Sequence, residues 1–455
     1  MPVGDVTVGP GQLNQSMLDA SPTGTRFALL PGHYRLGATL TLKAGQQLLG
    51  GAGSVLSGAR VLTAWASDGT QWRTDGQTVR MPSKAGGDAP CAPGTPLCNA
   101  AEDVYRDDVP LRRVASRAAL VPGTFWFDYT NSSIFLADNP SGHLLETTSV
   151  SQAVNAPSGG TLRNLVIEKF GNAAQSGAVT GHGVQVQHST IRLNHGTGVL
   201  AYGGAVIDSV IASNGQLGLG AGGDDMLVQD DEIAYNNYAG YDPGWEAGGT
   251  KWAYTNRLVV RGNWAHDNHG NGLWTDIDND ATTYADNLSE RNDGIGIFHE
   301  ISYRAVISNN TVRDNGRAPN YFNGRVGINV TDSPNVEITG NAVSGNVGGA
   351  ILAVQDTRTF SGRLGPHVLQ DDAVHDNTET VSGGYQGLWV YDAVLDRPAY
   401  YTSHNIVFSH NSYRLPSLTT RLFLGGDAGL NTGWDKSWTT WLSLGQDVTS
   451  TAVSG

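Results

Sequence analysis

Charge is scarce in this chain. Asp, Glu, Lys and Arg make up 15% of its 455 residues, against about a quarter in ordinary globular domains. The 28 basic residues are outnumbered by 42 acidic ones, for a net charge of −14. A nucleic-acid partner calls for a basic face, so none is expected. No apolar run approaches the ~20 residues that cross a bilayer, so no membrane partner is expected either. Methionine (4) and cysteine (2) are also few. Glycine runs the other way, with 60 residues, nearly twice the usual share of about 7%. Each glycine inside a helix costs ~1 kcal/mol, which excludes a helical bundle. No Gly-X-Y period exists, which excludes collagen. A turn-rich, all-β chain with a large core remains.

The start, Met1-Pro2-Val3, does not read as a signal peptide. The two cysteines, Cys91 and Cys98, lie in CAPGTPLC. A loop with two prolines and a glycine can close as a disulfide, which predicts an extracellular, secreted protein. Zinc is not expected, because no second ligand pair lies nearby.

Self-similarity organises the rest. Asn-x4-Asn recurs at Asn263/Asn268, Asn287/Asn292, Asn310/Asn315 and Asn341/Asn346. Weaker copies stand at Ser189/Asn194, Ser209/Asn214, Asp231/Asn236 and Asp372/Asn377. A glycine and an apolar stretch follow, usually four residues on, as in Gly272-Leu273-Trp274 and Gly296-Ile297-Phe298. The basic period is 20 to 24 residues of short strands between Asn/Gly turns. Units this short bury an apolar face only by stacking. Asn at the turn of every coil suits left-handed backbone, and stacked amides can bond along a ladder. His195, His266 and His269 are expected at such turns, extending the ladder.

The repeat resembles the right-handed parallel β-helices of the pectate-lyase-like kind over roughly 155–415. The expected fold is therefore all-β: a single-stranded right-handed parallel β-helix with an antiparallel β insertion near the N-terminus. Residues 1–62 read as an N-terminal cap and first coils. Residues 63–150 break the period, are rich in Trp, Pro and Asp, and hold FWFDYTNSSIFLA, which reads as a hairpin. Residues 151–420 form the helix core. Residues 421–455, with Trp434, Trp438 and Trp441, read as the cap on the last open coil.

Three coils carry extra residues after the second ladder Asn, at 237–248, 316–326 and 378–386. Insertions at equivalent points emerge from one edge of a solenoid. The first two bracket two plain coils, GLWTDID (272–278) and GIFHEIS (296–302), which would floor a cleft. Aligning Gly272 with Gly296 sends Trp274, Asp276 and Asp278 outward, beside Phe298, Glu300 and Ser302. Stacked parallel strands lie ~4.8 Å apart, so the carboxyls of Asp276 and Glu300 should sit about 5 Å apart. That separation suits a retaining glycosidase, with one carboxylate as nucleophile and one as acid/base. Repulsion within the pair would raise one pKa. An Asp on one coil and a Glu on the next is similar to the arrangement in β-helix retaining xylosidases. The resemblance implies Asp276 as nucleophile and Glu300 as acid/base.

Trp274 and Phe298 offer aromatic faces to a sugar. Trp245 and Tyr241 stand in one bracketing loop, Tyr321 and Phe322 in the other. Asp278, Asn279 and Asp280 follow the pair and could bind sugar hydroxyls. His299 points inward by strict alternation unless a bulge turns it, and counts among the substrate contacts in that case. Lys251, Glu246, Arg325 and Asn329 complete the candidate contacts. The expected partner is a polysaccharide or oligosaccharide; oligomeric state is left open. No cofactor is required by this chemistry. Calcium is the candidate if Asp276, Asp278, Asp280 and Glu300 gather as oxygen ligands. The rival reading is a polysaccharide lyase acting on a uronate, with Lys251, His299, Arg304 or Arg325 supplying base and cation. A third is a glycan-binding solenoid without catalysis, since the fold alone implies no reaction.

Overall fold

A computed structural model describes residues 3–319, 324–358, 361–391, 400–425 and 435–455. Three sheets of thirteen strands each dominate, nearly all of them parallel. The chain divides into two compact units. One comprises Met1–Ala201, Ser209–Gly218 and Asn237–Trp245; the other comprises Tyr202–Asp208, Leu219–Asn236 and Glu246–Gly455.

In the first unit, coils begin early. Arg26–Leu29 pairs in parallel with Gln47–Gly50, which pairs next with Gly160–Arg163. Leu40–Thr41 likewise pairs with Val154–Ala156. The intervening stretch is the antiparallel insertion. Its hairpin joins Thr124–Asp128 to Ser133–Leu136, with Trp126 opposite Phe135. Phe125, Phe127, Ile134, Leu136 and Leu145 form its core. Cys91 and Cys98 are disulfide-bonded.

His195 does not extend the ladder. It is buried, with Nδ1 2.9 Å from Asp103 Oδ2 and Nε2 2.8 Å from the Cys98 carbonyl. Both partners accept, so both ring nitrogens donate and the ring is an imidazolium. Burial opposes that charge, but the Asp103 carboxylate outweighs it and raises the His195 pKa. The insertion is thus tied to the coil bearing His195 by a buried ion pair.

In the second unit the Asn ladder is continuous. Asn236, Asn268, Asn292 and Asn315 each pass a side-chain N–H to the next ladder Asn's Oδ1, at 2.9–3.0 Å, the line ending at Asn346. A second line runs through Asn263, Asn287, Asn310, Asn341, Asn377 and Asn411. It ends on Asp447, which accepts from Asn411 Nδ2 (2.9 Å) and from Trp441 Nε1 (2.7 Å). Trp441 is buried against Phe408 and Phe423; Trp434 lies outside the described residues.

Two details differ from the sequence reading. The left-handed residue is the one before the ladder Asn: Asp267 (φ 51°), Arg291 (φ 54°) and Asp314 (φ 56°) precede Asn268, Asn292 and Asn315. That leaves the Asn free to aim its amide inward. The glycine four residues later is set by space, not by φ. A Cβ on Gly272 would lie 2.8 Å from Asn292 Nδ2, and one on Gly296 2.7 Å from Asn315 Nδ2. Each coil's glycine makes room for the next coil's amide. His266 and His269 also leave the ladder: His266 contacts Asp267 and Glu232, and His269 contacts Asp293.

Candidate active site

One sheet of the second unit carries the outward residues. Its strands here are β1 (Gly248–Asn256), β2 (Leu273–Asp276), β3 (Ile297–Glu300), β4 (Val326–Thr331), β5 (Gly349–Gln355) and β6 (Gln386–Val390). β2 and β3 pair with Trp274 opposite Phe298, Thr275 opposite His299 and Asp276 opposite Glu300. One outward row continues from Phe298 to Asn329 and Leu352. The other continues from Glu300 to Thr331 and Val354.

The two carboxyls are buried, Asp276 at 7% and Glu300 at 2% exposure. Lys251, on β1, places Nζ 2.8 Å from Asp276 Oδ2. Asp276 Oδ1 has no hydrogen-bond partner among the described residues. Glu300 accepts from Trp274 Nε1 at 3.1 Å and from Arg358 Nη1 at 2.6 Å. Burial, then the nearby Asp276 carboxylate, push the Glu300 pKa up to about 7, against the pull of Arg358 and Lys251. Each carboxyl faces a cation, Lys251 for Asp276 and Arg358 for Glu300, and Glu300 still holds a proton near neutrality. This is the division of labour that acid/base chemistry needs.

Strict alternation stops at the pair. Ile277 (φ 69°) and Ile301 (φ 34°) follow Asp276 and Glu300 in left-handed backbone, which β-branched residues rarely adopt. Such strain gathers at functional sites. The bend also overturns several sequence expectations. Asp278 does not stand beside the pair: its Oδ1 lies 2.9 Å from His367 Nε2 and 3.3 Å from Arg363 N. Asn279 belongs to a polar ladder with Thr255 and Ser302. Asp280 is held by Arg304 at 2.6 and 2.9 Å. Asp276, Asp278, Asp280 and Glu300 are therefore not gathered as calcium ligands. Among the described residues no group of three or more His, Cys, Asp or Glu is placed to hold a metal.

His299 is likewise corrected from substrate contact to core residue. Its Nε2 donates to the Tyr303 carbonyl (2.7 Å), so its Nδ1 accepts from Thr275 Oγ1 (2.8 Å), which accepts from Tyr284 (3.0 Å). Burial lowers its pKa to about 4, and it stays neutral. Trp274 and Phe298 are not open sugar platforms. Both are buried; they stack at 5.6 Å, and Lys251 Nζ lies 4.3 Å from the Trp274 ring centre. They belong to an apolar cluster with Val326, Leu352 and Val354.

The remaining candidates scatter. Asn329 is buried beside Phe298, with Oδ1 accepting from Thr331 Oγ1 at 2.8 Å. Arg325 Nε donates to the Gly316 carbonyl at 2.6 Å, bracing the base of its loop. It also lines a cavity of about 350 Å³ with Val326, Leu352, Tyr385 and Trp389. Trp245, in the first unit, lies under Lys84 Nζ at 5.9 Å, and Tyr241 is buried opposite Cys91. Glu246 closes the short helix Pro243–Glu246. Tyr321 and Phe322 lie outside the described residues.

Sequence reasoning missed Arg358, Asp332 and Asp356. Arg358 lies just past β5, two strands beyond Glu300, and Asp332 directly follows β4. The one available signal was a basic residue, in a chain poor in them, closing the segment QDTR (355–358).

The family described as "Right handed beta helix region" matches residues 175–325. No curated protein matches the sequence. Among solved structures, the complex of XylC with xylose is similar at TM-score 0.66 and 12% identity, covering 88% of this chain and 80% of that one. The A-module of the mannuronan C-5 epimerase AlgE6 of Azotobacter vinelandii is similar at TM-score 0.49 and 14% identity, covering 97% and 94%. A polygalacturonase of Erwinia carotovora ssp. carotovora is similar at TM-score 0.41 and 10% identity, covering 91% and 94%. At 12% identity the likeness to the XylC structure is one of fold; it agrees with the family match and with the strand topology, and the chain is a right-handed parallel β-helix.

Proposed function

We propose that this β-helix is a carbohydrate-active enzyme that cleaves a glycosidic bond with retention, Asp276 attacking the anomeric carbon and Glu300 protonating the leaving oxygen. The observation that carries this reading is the facing of Asp276 and Glu300 across neighbouring strands, with Lys251 on the first and a raised pKa on the second. Paired strands lie ~4.8 Å apart, which matches the ~5–5.5 Å separation of retaining carboxylate pairs more closely than the ~6.5–9.5 Å of inverting ones. In the first step the Asp276 carboxylate displaces the leaving group as Glu300 gives it a proton. In the second, Glu300 as a carboxylate takes a proton from the water that releases the sugar. Asp276 Oδ1, without a hydrogen-bond partner among the described residues, is the atom available to bond carbon. The XylC structure is that of a complex with xylose, which makes pentosides a sensible first substrate. Extracellular action on a polysaccharide or oligosaccharide belongs to the same proposal, with the disulfide as its support. Among the described residues no helix is long and apolar enough to cross a membrane.

A polysaccharide-lyase reading draws on the same two cations, Lys251 as base and Arg358 as the neutraliser of a uronate. Lys251 already engages Asp276, which opposes its use as a base. Digestion of a glycan panel separates the two. Hydrolysis gives saturated ends, lost in Asp276→Asn and Glu300→Gln; elimination gives 4,5-unsaturated ends. Near-full turnover by both variants would end the hydrolase reading.

A further inference from the structure

Arg358 is shared. Its Nη1 donates to Glu300 Oε1 at 2.6 Å, while its Nε lies 3.2 Å from Asp332 Oδ2 and 2.7 Å from Asp356 Oδ2. Asp332 is fully buried. Its Oδ1 accepts from Gln355 Nε2 (2.8 Å) and the Asp356 backbone N–H (2.7 Å), whereas its Oδ2 makes no hydrogen bond among the described residues. Gln355 is itself fixed by the Tyr400 hydroxyl at 2.8 Å.

We propose that Arg358 and Asp332 are positioning residues for Glu300, one guanidinium divided between two carboxyls so that the charge on Asp332 governs how firmly Arg358 holds Glu300. The proposal rests on the reading of Glu300 as acid/base.

Charge counting supports it. Among the described residues, Lys251 and Arg358 are the cations facing this cluster and Asp276, Glu300, Asp332 and Asp356 its carboxyls, with the Tyr391 phenol beside the last two. With all six charged the buried site would carry a net −2, which is costly away from water. Two resident protons restore balance, and the two most buried carboxyls are Glu300 and Asp332. Burial raises the Asp332 pKa to about 8; the Asp356 backbone N–H opposes the rise, the Asp356 carboxylate adds to it and Arg358 opposes it. While Asp332 keeps its proton, it does not compete for Arg358. When Glu300 surrenders its own to a leaving group, the guanidinium is free to stabilise the new carboxylate. Two carboxyls coupled through one cation titrate as a pair, each curve showing the other's step.

The test is carbon-13 NMR of the whole chain labelled at the Glu side-chain carboxyl, with the Glu300 signal assigned through Glu300→Gln. This readout needs no turnover. The wild-type signal is expected to titrate in two steps. Asp332→Asn keeps the Oδ1 contacts and should give a single step at lower pH. Arg358→Gln should move the midpoint up by about one pH unit or more, the scale of losing one close cation, and Arg358→Lys should recover part of that. The basic limb of kcat/KM for a glycoside with a poor leaving group, which needs the Glu300 proton, should move in the same directions. A Glu300 curve identical in wild type, Asp332→Asn and Arg358→Gln would overturn the proposal. Absence of cleavage of any glycoside by the wild type would instead overturn the functional reading, leaving the NMR result to decide this one.

Discussion

Lys251 and Asp276 are joined by an ion pair of 2.8 Å on adjacent strands, with only one Asp276 oxygen engaged among the described residues. The lysine fixes one carboxylate oxygen and so sets the direction of the other. Lys251→Gln should cut kcat/KM by about 10²-fold, on the scale of losing one electrostatic contact in a dry site. It should also lower stability by about 3 kcal/mol, because the Asp276 charge is left buried and unpaired. Steady-state kinetics and thermal melting measure the two effects separately.

Glu300 must carry its proton when the bond breaks, and its pKa stands near 7. Activity should therefore fall as pH rises through about 7. Glu300→Gln should cost about 10²–10⁴-fold in kcat/KM on substrates with poor leaving groups and much less in kcat/KM on those whose leaving group needs no proton. The comparison of the two substrate types across pH checks both statements.

The scaffold makes its own prediction. Asn292 accepts from Asn268 N and Nδ2 and donates to the Ala265 carbonyl and to Asn315 Oδ1, all at 2.9–3.1 Å. Asn292→Ala leaves several of these groups buried and unpaired, at about 1–3 kcal/mol each. Gly272→Ala should also destabilise, since its new methyl would meet Asn292 Nδ2 and Ser289 Oγ. Denaturant unfolding should rank both below wild type. An unchanged midpoint for Gly272→Ala would contradict the spatial role of that glycine.

The His195–Asp103 pair predicts a pH window. His195 has a raised pKa and Asp103 a lowered one. The histidine's contribution is full below its unfolded value of about 6.5 and is lost as pH rises through the higher folded value. The aspartate's is full above about 3.9 and is lost as pH falls through the lower folded value. Melting temperature should thus decline on the alkaline side. His195→Gln, which cannot carry the charge, should remove that decline while lowering stability near pH 6.

Much of this was legible in the chain. The ladder spacing and the distance of 24 residues between Asp276 and Glu300 define both the solenoid and the register of β2 on β3, because stacked coils must repeat. What escaped has physical causes. Alternation predicts faces only while the strand lasts, and the left-handed turns at Ile277 and Ile301 redirected Asp278 and Asp280 to other partners. Aromatic type does not report exposure, so Trp274 and Phe298 read as platforms although neighbouring strands cover them. Arg358 lies 58 residues from Glu300, beyond any local pattern, and only the stacking of two further coils brings it there.

Mass spectrometry of the chain quenched during turnover of a 2-deoxy-2-fluoro glycoside, made from a sugar that the wild type cleaves, bears on the mechanism at its root. A covalent glycosyl adduct on the peptide bearing Asp276, absent from Asp276→Asn, is the predicted result. An adduct on another residue, or turnover of that sugar's glycosides by Asp276→Asn at the wild-type rate, would contradict it.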